Sequence, residues 1–86
     1  MALLTNRTMT MDRPLPGDPL DGLTDRQREV LALMAEGRSN AAIAARLHVA
    51  EKSVARHSSH IYDVLGIGER REDHRRVLAV VRYLSA

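Results

Sequence analysis

The chain has 86 residues, thirteen Lys or Arg against eleven Asp or Glu, and no cysteine. That length holds one small domain, able to bury only about 60% of its unfolded surface, and the missing thiols exclude disulfides, zinc–thiolate sites and cysteine nucleophiles. No apolar run approaches the ~20 residues of a membrane span, and the first residues lack a signal-peptide pattern, so the expectation is a cytoplasmic protein with no membrane partner.

Residues 1–22 hold Pro14, Pro16, Pro19, Gly17 and Gly22 without apolar periodicity, and they read as a disordered tail or linker. The folded domain is expected over 23–86. Thr24 followed by Gln27 forms a capping-box pattern, and Val30, Leu31, Leu33 and Met34 recur at helical spacing up to Gly37. This predicts a first helix over about 25–36. Ser39 caps a second, short helix over about 40–47, with Ile43, Ala44 and Leu47 on one side. His48, Val49 and Ala50 make a tight break. A third helix follows over about 51–65, with Val54, Ile61 and Leu65 inward, Val64 beside them and His57 or Ser58 between. Gly66 and Gly68 end it. The fourth, over about 72–84, carries Val77, Leu78, Val80, Val81 and Leu84 around most of its circumference. No segment alternates as a strand does. The fold class is all-α, with four helices.

Two short helices around a three-residue break are what a helix-turn-helix requires. Its core needs a small residue where the helices cross and apolar residues at fixed offsets around the turn. Ile43, Ala44, Leu47, Val49 and Val54 supply these at offsets 0, 1, 4, 6 and 11. Charge agrees. The net charge is only +2, yet Arg38, Arg46, Lys52 and Arg56 face a single acid, Glu51, between residues 38 and 60. A polyanion would favour that stretch, although a solvated face explains the charge equally well.

The stretches "LTDRQREVLALMAEGRSNAAIAARLHV" and "EKSVARHSSHIYDVLGIGER" resemble the LuxR-type (NarL- or FixJ-type) effector domain of bacterial transcription regulators, from Leu23 to Arg70. The resemblance implies a four-helix DNA-binding domain acting as a transcription regulator, either the output domain of a two-component response regulator or a stand-alone protein. The double-stranded DNA would receive the helix over 51–65 in its major groove. Carried over by position, base contacts fall on Ala55, Arg56 and Ser59, on the side opposite Val54, Ile61 and Leu65. Arg56 has a donor fork able to bond guanine O6 and N7 together, Ala55 can meet a thymine methyl, and Ser59 discriminates weakly. Phosphate contacts are expected from Ser39, Asn40, Lys52, Ser53 and His60. The sequence departs from the family at Ala50, where Ser or Thr usually caps the recognition helix, at Ala42, where Glu often closes a capping box, and at Val64, where Lys is common. The stretch "EDHRR" shifts the apolar residues of the last helix by about one turn.

That last helix has more apolar surface than so small a core can cover, and such surface marks partners. In the resembling family this helix often pairs two copies, so a twofold homodimer through Val77, Leu78, Val81 and Leu84 is expected. The alternative function is a protein-interaction module that kept the fold with weak or no DNA binding. No nucleophile–base–acid set suggests an enzyme. His57 and His60 are three apart, but no carboxylate or cysteine completes a metal site by spacing, so no metal, cofactor or small-molecule ligand is expected.

Overall fold

The computed structural model describes residues 19–85. Within them a 3₁₀ turn at Pro19–Gly22 leads into four helices: α1 (Asp25–Ala35), α2 (Asn40–Leu47), α3 (Glu51–Val64) and α4 (Glu72–Ser85). No described residue lies in a strand. The all-α, four-helix expectation holds.

Of the expected tail over 1–22, residues 1–18 lie outside the described residues, and Pro19–Gly22 form the turn that leads into the domain. Leu20 is buried in the core, and the Arg28 guanidinium donates to its carbonyl at 2.6 Å. Leu20 follows Pro19 with no periodic apolar neighbours to reveal that it belongs to the domain.

Each helix begins and ends for a local reason. The Thr24 hydroxyl accepts from Gln27 N–H at 3.1 Å, while the Gln27 side-chain oxygen accepts from Thr24 N–H at 3.0 Å. This reciprocal box satisfies two amides that a helix start leaves free. The Ser39 hydroxyl accepts from Ala42 N–H at 3.1 Å; with alanine at 42 nothing reciprocates. Ala50, at the start of α3, makes no side-chain cap bond.

Three helix ends share one device, a left-handed residue followed by an amide bonded five residues back. Gly37 and Gly66 serve α1 and α3 at φ 85° and 70°, and His48 serves α2 at φ 58°. The closing bonds are Arg38 N–H to Leu33 O, Ile67 N–H to Tyr62 O and Val49 N–H to Ala44 O. Glycine adopts this region freely, whereas histidine does so at a cost.

The core gathers Val30, Leu31, Met34, Ile43, Val54, Ile61 and Tyr62, with Leu20, Leu23, Leu65, Ile67 and Ala79 around them. Helix α1 packs against both α3 and α4, and α2 packs chiefly on α3. The inner face of α3 resolves one open choice. Ser58 is buried and donates back to Val54 O at 3.0 Å, whereas His57 is half-buried at the edge. Tyr62, unremarked in the sequence, is almost fully buried. Val64, expected beside the inward set, is instead 41% exposed.

Candidate nucleic-acid interface

Helices α2 and α3 cross through Ile43 and Ala44, buried on α2, and Val54, buried on α3. Leu47 and Val49 pack against the same core. The five apolar offsets therefore meet around one turn, as a helix-turn-helix needs. With that side of α3 sealed, its far side faces solvent. Lys52, Ala55, Arg56, Ser59 and His60 are all exposed there, and Ser53 is half-buried at the flank. Asp63 is exposed on the same face, one turn beyond Ser59; a carboxylate there repels a phosphate backbone.

The pairing of cations distinguishes this face from the rest of the molecule. Arg26, Arg38, Arg71 and Arg75 each lie beside a carboxylate, of Glu29, Glu36, Asp73 and Glu72 respectively. Arg28, Arg76 and Arg82 are spent on backbone carbonyls, those of Leu20, Arg38 and Leu65. The cations that no described residue engages are Arg46, Lys52, Arg56 and Arg70. Three of these four sit on the helix-turn-helix, where a polyanion would find them uncompensated.

His57 adds to the same electrostatics. Burial holds its pKa below the ordinary 6.5, and the neighbouring charges of Arg26, His60 and Arg56 push it the same way. Among the described residues no three His, Cys, Asp or Glu side chains gather around a common point.

Ser39 and Asn40 open α2 at the edge of this surface. The hydroxyl of Ser39 is committed to Ala42 N–H. The side-chain oxygen of Asn40 accepts from Arg76 of α4 at 2.8 Å. Sequence periodicity has no term for a contact across thirty-six residues, so this tie was not legible beforehand. A second contact between α3 and α4 was also hidden. Tyr62 donates to Glu72 at 2.7 Å, and Arg75 lies over its ring at 4.9 Å. Burial and the Glu72 carboxylate push the Tyr62 phenol well above its ordinary pKa.

Helix α4 presents a different surface. It buries only Ala79, with Leu78, Val80 and Tyr83 half-buried against the core. Val77, Val81 and Leu84 follow at four and three residues and are 59%, 52% and 69% exposed. Leu78, expected in the same interface, is half-buried and packs partly against its own domain. No helix among the described residues is long and apolar enough to cross a membrane.

The family model for the bacterial regulatory proteins of the luxR family matches residues 21–77. The chain belongs to that family. It is 45% identical over 53 residues to a probable transcriptional regulatory protein, SgaR, of Hyphomicrobium methylovorum, an alignment spanning 62% of this chain and 25% of that protein. It is 45% identical over 53 residues to the DNA-binding transcriptional activator DevR/DosR of Mycobacterium tuberculosis, across 62% of this chain and 24% of the relative. A nitrate/nitrite response regulator homologue of Haemophilus influenzae is 35% identical over 79 residues, 92% of this chain and 35% of its own length. This luxR-family chain thus spans a quarter to a third of these relatives. No solved structure gives a significant match.

Proposed function

We propose that this luxR-family chain is the DNA-reading unit of a cytoplasmic transcriptional regulator, with α3 in the major groove of double-stranded DNA. The observation that carries the reading is the set of unengaged cations on the helix-turn-helix, Arg46, Lys52 and Arg56, where every described arginine elsewhere except Arg70 is held by a carboxylate or a backbone carbonyl. Arg56 is the principal base reader, bidentate to a guanine, with Ala55 against a thymine methyl and Ser59 as a weak discriminator. Lys52, Ser53, His60, Ser39 and Asn40 meet phosphates and fix the register. Residues 23–86, joined by Leu20, form the functional unit. Two copies pair through the stripe of Val77, Val81 and Leu84, with Leu78 at its margin, and meet two half-sites about one helical turn apart, roughly 34–36 Å.

Selection of duplexes from a random pool tests the reading and gives the site and its half-site spacing together. A specific complex should weaken with salt at a log–log slope of about −0.9 per phosphate neutralised. Absence of binding to any duplex at low salt sinks the proposal.

A further inference from the structure

Asn40 and Arg76 are thirty-six residues apart, yet Arg76 Nη1 lies 2.8 Å from the Asn40 side-chain oxygen. The other terminal nitrogen of Arg76 donates to the carbonyl of Arg38, just before α2 begins. Both residues are half-buried. A guanidinium has donors only, so an amide facing it must present its oxygen. Its Nδ2 then faces elsewhere, and no described residue engages it. Meanwhile Arg76 spends its two terminal nitrogens on these acceptors.

From this we infer that Arg76 is a positioning residue for DNA binding: it fixes the amide of Asn40 so that Nδ2 donates to a backbone phosphate, without touching the DNA itself. The inference rests on the DNA reading above and adds a residue of α4 to it. Helix α4 thereby has two separate duties. Its outer stripe faces away from the domain, while Arg76 on the inner side holds the first residue of α2. An amide that nothing holds must be ordered as the phosphate binds, which costs up to about tenfold in affinity, whereas a clamped one already presents its donors. The ordering is done before DNA arrives.

The test measures equilibrium affinity for one selected duplex across a salt series, for the intact chain and for Asn40→Ala, Arg76→Met and the double variant, each well below its own melting temperature. A hydrogen bond to a charged group implies that each single change weakens binding roughly tenfold. Positioning through Asn40 requires that the double variant lose no more than either single one. It also requires that Arg76→Met keep the salt slope, while Lys52→Ala, a direct phosphate contact, reduces it by about 0.9. Losses that multiply in the double variant overturn the inference, as does an Arg76→Met protein that binds like the parent. A slope reduced by about 0.9 in Arg76→Met also overturns it, by making Arg76 itself a phosphate contact.

Asn40→Asp covers the case in which Arg76→Met does not fold. It keeps an acceptor for Arg76, so the melting temperature should hold, but it has no donor for phosphate. Its affinity should drop by more than tenfold, and parental affinity would refute the role of Nδ2. If the parent chain binds no duplex while remaining folded, the DNA reading itself fails and takes this inference with it. If the parent and Lys52→Ala behave as expected, any failure belongs to the Arg76–Asn40 pair and not to the DNA reading.

Discussion

Helices α3 and α4 are each fourteen residues long, each begins with an acidic residue and each has a pronounced apolar side. They use that side in opposite ways. The apolar residues of α3 close the domain, with Val54, Ile61 and Tyr62 buried, and its polar side is left facing solvent. The outer side of α4 instead carries an exposed apolar stripe, because only Ala79 is fully buried while Val77, Val81 and Leu84 stand in solvent. The grip of α4 on the domain adds polar reach to the packing of Ala79, Leu78, Val80 and Tyr83: Arg76 to the start of α2, Arg82 to the Leu65 carbonyl, and Glu72 and Arg75 to Tyr62. Apolar periodicity therefore identifies a helix without saying which way it faces. The direction is set by which side its neighbours can seal.

The sharpest way to break the comparison is to remove one apolar side chain from each helix. Ile61→Ala should cost about 2–5 kcal/mol in urea unfolding, since it opens a cavity in the core. Val81→Ala should stay within about 0.5 kcal/mol at a dilution where only monomers exist. Equal losses would mean that the two helices are not used differently. Val81→Glu should leave monomer stability similarly untouched while turning any dimer seen by sedimentation into monomer.

Next in size is the outer face of α3. Arg56→Ala should flatten discrimination at one base position by about 1–3 kcal/mol, read from affinities for all four bases at that position. Asp63→Asn on the same face should strengthen binding to every sequence alike. A further effect lies at the bare start of α3, where Ala50→Ser should raise stability by about 1 kcal/mol by supplying the missing cap.

The smallest concerns His57. Its folded pKa is depressed, so the unfolded chain binds the proton more readily. Stability from this group is present above the unfolded value of about 6.5 and is lost as pH falls below it. His57→Gln should flatten that slope in melts between pH 7.5 and about 5.

Much of this was legible in the residues. The Thr24–Gln27 box, the Ser39 cap, Gly37 and the turn set from Ile43 to Val54 are local patterns, and local chemistry fixes them. The exposure of Lys52, Ala55, Arg56, Ser59 and His60 followed from placing Val54 and Ile61 inward. What stayed hidden was long-range or carried by single residues. Leu20 follows Pro19 outside any periodic pattern, and Tyr62 reads as amphipathic until Glu72 is beside it. The carbonyl partners of Arg28, Arg76 and Arg82 depend on where a flexible side chain ends, which no spacing rule encodes. The separation of Val77 from Leu78, one exposed and the other half-buried, needed the position of the core.

His48 has a consequence for how the domain tolerates change. Its side chain is exposed and no described residue bonds to it, so by contact alone it is a position free to vary. Its backbone is not free: φ of 58° and the Val49 N–H to Ala44 O bond together set the corner between α2 and α3. Side chains branched at Cβ are strongly disfavoured in that region, whereas Gly, Asn and Asp accept it. A saturation scan of position 48 would therefore lose Val, Ile and Thr and keep the small and the amide-bearing residues. A surface site would carry the mutational signature of a buried one.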